Sequence, residues 1–156
     1  MSKIAERLKD LGIVLPKPVQ PLANYVAYRW SGSLLFISGQ IPLQNDALPY
    51  LGKVGVDLSI EQGQAAARLC AINILAQVNA ALNGNLDLVD ACLKLGGFVN
   101  CAPDFSAQPT VINGASDLMV DVFGDKGRHA RAAVGSNALP RNVAVEIDAI
   151  FQCRIN

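Results

Sequence analysis

The stretch RHARAAVGSNALPRNVAVEIDAIF, residues 128–151, decides the fold class. Two short apolar runs are joined by a turn that contains Pro140. The second run places Val143, Val145, Ile147, Ala149 and Phe151 on one face and Glu146 and Asp148 on the other, the two-residue alternation of a strand buried on one side. The first run opens with Arg131. An arginine and two carboxylates on strands that otherwise read as core call for a reason beyond packing.

Working back toward the N-terminus, a helix is expected over about 109–123. Pro109 lies in its first turn, Val111, Ala115, Leu118 and Val122 form an apolar stripe, and Gly124 is the stop. The run ACLKLGGFVN before it alternates as a strand, with Leu93, Leu95 and Val99 on one side. Ser59 and Gln62 have capping-box spacing and open the longest helix. Its stripe reads Ala65, Leu69, Ile72, Leu75, Ala76 and Leu82, up to Asn83-Gly84. Residues 43–58 read as an irregular loop. A strand over Leu34–Ile37 pairs with one near Val26–Trp30 through a turn at Ser31-Gly32-Ser33. Ile4, Leu8 and Leu11 mark a short N-terminal helix stopped by Gly12, followed by the proline-rich connector LPKPVQPLANY.

The order is a helix followed by β-β-α-β-α-β-β. It fits an α+β fold, a two-layer sandwich of a mixed β-sheet with two helices on one face. The other sheet face is left bare, and the alternation on the last strands points to further subunits covering it. The 156 residues read as a single domain, 1–19 forming the N-terminal helix and connector and 20–156 the core.

Composition narrows the function classes. Hydrophobic residues make up 51% of the chain, charged residues 17%, and mean hydropathy is +0.30, a surplus that subunit interfaces would absorb, so a homo-oligomer is expected. No run approaches the ~18 apolar residues of a membrane span, and the N-terminus MSKIAERLKDLG is charged, so the chain reads as cytoplasmic. Thirteen basic and thirteen acidic side chains cancel without a basic cluster, which argues against a nucleic-acid partner. Cys70, Cys92, Cys101 and Cys153 show no CxxC spacing and His129 is the only histidine, so the cysteines read as buried thiols and no metal or cofactor site is expected.

The segments NYVAYRWSGSLLFISGQIP (24–42), FVNCAPDFSAQPTVINGASDLMVDVFG (98–124), HARAAVGSNALP (129–140) and VAVEIDAIF (143–151), in this order and spacing, resemble the YjgF/YER057c/UK114 (RidA) family. That resemblance implies a chorismate-mutase-like fold, a homotrimer, and active sites in clefts between neighbouring subunits. It implies cofactor-free hydrolysis of reactive enamines and imines such as 2-aminoacrylate and 2-iminobutanoate to 2-keto acids and ammonia. Many members also carry an endoribonuclease L-PSP label. By the same resemblance Arg131 holds the substrate carboxylate and Glu146 positions water, while Tyr25, Ser38, Gly39 and Asn113 line the cleft. Many relatives have a cysteine where this chain has Ala133, and the N-terminal helix and the longer 43–58 loop are further departures.

Each residue also has a plainer reading. Arg131 could pair with Glu146 or Asp148, which share a strand face. Tyr25 could pack against the core, Ser38-Gly39 could be turn chemistry, and Asn113 an ordinary early-helix residue. His129, without a partner to complete a catalytic pair, reads as a surface residue. Taken with the resemblance, the match of a guanidinium fork to a carboxylate, and an imine carbon's need for only a positioned water and a proton path, favour an enamine/imine deaminase. The alternatives are an endoribonuclease, which would want a basic channel and an acid-base pair, and a non-catalytic regulatory protein that binds a small carboxylate and has no use for Glu146.

Overall fold

The computed structural model describes residues 2–155. Five strands form one sheet in the order β1-β2-β5-β3-β4: β1 Tyr28–Ser31, β2 Leu34–Gln40, β3 Val89–Asn100, β4 Ala130–Ser136 and β5 Val145–Cys153. All neighbours are antiparallel except β3 and β4, which are parallel and joined through helix α3, Gln108–Phe123. Parallel strands cannot be joined by a tight turn, so a crossover helix is the expected link. The longer helix α2, Ile60–Ala81, packs beside α3, and both lie on one sheet face as expected. The two closing strands, consecutive in sequence, are therefore not neighbours, because β3 lies between them.

Local chemistry sets the elements. The β1–β2 hairpin turns at Gly32-Ser33, where Gly32 takes φ 57°, a conformation that favours glycine. Both arms of the expected capping box form at α2: Ser59 Oγ accepts from Gln62 N and Gln62 Oε1 accepts from Ser59 N. The expected stripe on α2 holds in its second half, where Leu75, Ala76 and Leu82 are buried, and differs in its first. Ala65, Leu69 and Ile72 are half-buried, whereas Ala66, Ala67, Cys70, Ala71, Ile74 and Val78 are buried. Small side chains let α2 sit close to its neighbours; an added Cβ at Gly63 would crowd Val54 and Val111. In β3 a bulge between Cys92 and Lys94 turns Cys92 into the core and leaves Leu93 half-buried, against the expected face.

The first helix, α1 Lys3–Asp10, docks through the Asp87 carboxylate, which accepts from Lys3 N (3.0 Å) and Ile4 N (2.9 Å), while Arg7 Nε donates to the Asp121 carbonyl at 2.7 Å. The 43–58 loop is irregular yet firmly held. Gly52 N donates to Asn142 O, Ala144 N to Tyr50 O, and the Lys53 ammonium to Asn100 Oδ1 (3.1 Å) and to the carbonyls of Cys101 and Asn137. It thereby braces the turn before β5. All four cysteines are buried free thiols, and no helix among the described residues is long and apolar enough to cross a membrane.

The face of the sheet away from the helices carries Phe36, Phe98 and Val134, exposed by 41%, 39% and 46%, together with Glu146 and Asp148. Large apolar side chains grouped on an open sheet face are the ordinary mark of a surface that meets another chain.

Candidate active site

A cleft of about 270 Å³ opens where β2 ends. Tyr25, Ser38, Gly39 and Glu146 all line it, so four of the six expected site residues come together within one chain. Ser38 Oγ donates to the Val26 carbonyl at 2.6 Å and Ser38 N to the Ala27 carbonyl at 2.9 Å, which ties the loop carrying Tyr25 to the end of β2. The Ser38 proton is thus committed and the hydroxyl is left as an acceptor. On the helix side Asn73 Nδ2 donates to the carbonyls of Ile41 (2.9 Å) and Leu43 (3.0 Å), fixing the opposite wall. Tyr25 itself is 58% exposed, so it forms a lip of the cleft and does not pack in the core.

Glu146 lies across the backbone of Gly39, where an added Cβ would collide with Glu146 Oε1. The β2 register slips between Ile37 and Gln40 opposite β5, and that irregularity brings Gly39 over the carboxylate. Burial, and then the charge of Asp148 two residues on, raise the Glu146 pKa above the ordinary carboxylate value. A raised carboxyl in a cleft is suited to receive a proton and give it back at moderate pH.

The other two expected residues form a separate cluster. Arg131 Nη1 donates to Asn113 Oδ1 at 2.8 Å and to Ser116 Oγ at 3.1 Å, both on α3. These two bonds use both Nη1 hydrogens. Among the described residues neither Nε nor Nη2 has a protein partner, so the edge of the fork with two parallel N–H groups is open, and Arg131 is exposed. Arg131 pairs in register with Leu95, whose side chain faces the helices, and Glu146 with Phe98 on the open face. The arginine and the glutamate therefore stand on opposite faces of the sheet. Two strand spacings across and three residues along put their Cα atoms about 14 Å apart. The expected alternative of an Arg131 ion pair with Glu146 or Asp148 is thus not formed, because β3 separates them and the side chains diverge.

These features match a known family. The family model described as "YjgF/chorismate_mutase-like, putative endoribonuclease" covers residues 5–151. The chain belongs to the YjgF/RidA family. Its relatives include Protein TCP17 of Trypanosoma cruzi, 47% identical over 97% of this chain and 94% of that protein. The structure of protein Atu1372 of Agrobacterium tumefaciens, of unknown function, superposes with a TM-score of 0.91 at 51% identity, covering 97% of this chain and 92% of that one. A "putative endoribonuclease" of Shewanella oneidensis gives a TM-score of 0.92 at 33% identity over 96% and 98%.

In this YjgF chain several site residues escape a reading by motif. Ser116 follows Asn113 by three residues, so it shares that face of α3 and reaches the same guanidinium nitrogen; helical spacing alone could have pointed to it. His129 is half-buried and bonded through both ring nitrogens, to Ser116 Oγ at 2.8 Å and the Gly127 carbonyl at 2.7 Å, which corrects the expectation of a plain surface residue. Arg141 lines the Glu146 cleft from a turn in which it and Asn142 take φ 56° and 59°, and nothing in its short sequence context marked it.

Proposed function

We propose that this protein is a hydrolytic deaminase of 2-imino acids and their enamine tautomers, acting in the cytoplasm as a homotrimer whose sites combine Arg131 of one copy with the Glu146 cleft of the next, without metal or cofactor. The observation that carries the reading is the guanidinium. Asn113 and Ser116 occupy Nη1, and the free Nε–H and Nη2–H pair offers the bidentate geometry that a carboxylate takes. The placement of Arg131 and Glu146 on opposite sheet faces supports a composite site, since one small molecule cannot touch both within a chain. The exposed phenylalanines and Val134 supply a surface for the neighbouring copy.

The reaction then follows from these groups. The substrate carboxylate rests on the Arg131 fork, and the imine carbon lies over the cleft beside Glu146. Ionised Glu146 takes a proton from water as the oxygen adds to the C=N carbon, giving a carbinolamine. The carboxyl returns that proton to nitrogen and then takes the hydroxyl proton as the C–N bond breaks and the C=O bond forms; ammonia leaves, and the last proton departs with it as ammonium. Water is consumed once and no redox change occurs. An iminium carbon is already electrophilic, so positioning and one proton path suffice. The endoribonuclease description of relatives finds less support here, because both nitrogens of the one histidine are engaged.

The test is direct. 2-Aminoacrylate and 2-iminobutanoate are generated in situ by a dehydratase acting on serine or threonine, and 2-oxo acid release is followed with and without the protein. Acceleration that disappears in Glu146→Gln while 2-oxobutanoate binding persists supports the deaminase. Absence of acceleration by wild type, with 2-oxobutanoate still bound, points to a metabolite-binding regulator.

A further inference from the structure

Four groups stand in line behind the open fork: the Gly127 carbonyl, the His129 ring, the Ser116 hydroxyl and the Arg131 guanidinium. Each link has a forced direction in the neutral ring. A carbonyl only accepts, so His129 Nδ1 carries the ring proton and donates to Gly127 O. Nε2 is then an acceptor, and Ser116 O–H donates to it. Arg131 only donates, so the Ser116 lone pairs receive Nη1–H. From Nη1 to the Gly127 carbonyl each link thus has one donor and one acceptor.

The backbone is built to hold this line. Gly127 is buried against α3, where an added Cβ would collide with the Met119 carbonyl, so the short 3-10 turn Gly124–Gly127 lies flat on the helix. That contact brings its carbonyl and the following His129 over Ser116. Ser116 in turn sits one helical turn beyond Asn113, and together the two fill Nη1.

We propose that His129 and Ser116 are positioning residues, a one-way hydrogen-bond relay from the Gly127 carbonyl that fixes the rotation of the Arg131 guanidinium and so presents its Nε–H and Nη2–H edge to a substrate carboxylate. The inference rests on the reading of Arg131 as the carboxylate binder. Neither residue touches substrate. Without the relay the guanidinium keeps its charge and its Asn113 bond but is free to rotate about its own stem, and a carboxylate meets a fork that is no longer set in place. The loss falls on binding and not on the proton transfer at Glu146, which belongs to the other cluster.

The single histidine makes the relay observable without assignment ambiguity. Nitrogen-15 NMR of the ring in the neutral state should show the proton on Nδ1, the tautomer less favoured by free imidazole, with a bare Nε2 whose signal moves in Ser116→Ala. Binding of 2-oxobutanoate, read by calorimetry, should weaken about ten-fold in Ser116→Ala and in His129→Phe, the effect of one hydrogen bond to a charged group. The double variant should weaken no more than either single one, because both break the same chain. Ser116→Thr, which restores the hydroxyl, should recover most of the affinity. In turnover the variants should raise KM and leave kcat within a few-fold of wild type. A proton on Nε2, wild-type affinity in Ser116→Ala, or additive effects in the double variant each overturn the relay. A wild-type protein that binds no 2-oxobutanoate refutes the substrate reading instead, and the relay is then decided by the ring signals alone.

Discussion

Replacing Arg131 with lysine keeps the positive charge and removes the fork. In the wild type the Nη1 hydrogens are committed to Asn113 and Ser116, so a carboxylate can be met only by the Nε–H and Nη2–H pair, two parallel charge-assisted bonds. A lysine ammonium has a single nitrogen with three hydrogens, and satisfying both Asn113 and Ser116 leaves it one for the ligand in place of two aligned ones. The loss is one charge-assisted bond, about 1.5–3 kcal/mol. At about 1.4 kcal/mol per decade this lowers kcat/KM roughly 10- to 100-fold. Because the carboxylate is bound alike in the ground and transition states, most of the change should appear in KM. Arg131→Ala should lose more. The assay is the coupled imine-hydrolysis rate at several substrate concentrations, with folding checked by circular dichroism. A folded Arg131→Lys enzyme with wild-type kcat/KM would refute the assignment and make the arginine structural.

Three further outcomes follow from the same geometry. Gly39→Ala should fold normally, since the colliding atom is the movable end of Glu146, yet the methyl displaces that carboxylate from the cleft and kcat should fall at least ten-fold; a crystal structure with Glu146 unmoved and full activity would count against its role. The ionised form of Glu146 is depleted as pH falls through its raised pKa, so activity should show an acid limb above the ordinary glutamate range; Asp148→Asn removes one of the two causes and should shift that limb to lower pH, and a limb that stays or rises contradicts this. Lys53→Met leaves Asn100 Oδ1 and the Cys101 and Asn137 carbonyls without their donor and should cost about 1–3 kcal/mol in chemical denaturation; an unchanged midpoint would mean the 43–58 loop is held by its backbone bonds alone.

Much of the molecule was legible from its residues because local rules and global packing agree. The capping box at Ser59, Gln62 and the stop at Gly124 place α2 and α3 almost to the residue. Alternation on Val145–Phe151 correctly separates Glu146 and Asp148 from the core. What failed was what alternation cannot encode. A bulge at Cys92/Lys94 reverses the face of Leu93, and the first half of the buried arc of α2, from Gly63 to Ala71, is made of Ala, Gly and Cys, which carry little hydrophobic signal although they pack closely. Pairing order also lies outside local pattern: nothing in residues 128–151 says that β3 inserts between the two closing strands. That insertion sends Arg131 and Glu146 to opposite faces. Ser116 and His129 became visible only when α3 and the Gly127 turn were brought together in space.

The composite site can be tested by mixing two inactive chains. Arg131→Ala keeps an intact Glu146 cleft, and Glu146→Gln keeps an intact Arg131 cluster, so in the proposed trimer neither variant alone has a complete site. Co-expressed in equal amounts and assembled at random, a site between copies takes its arginine from one chain and its glutamate from the next, and about a quarter of the sites are then wild type. Imine hydrolysis by the purified mixed trimers should return to about a quarter of the wild-type rate, whereas the two variants assayed alone, or mixed after assembly without exchange, stay inactive. Mixed trimers no more active than the parents would contradict a site shared between copies.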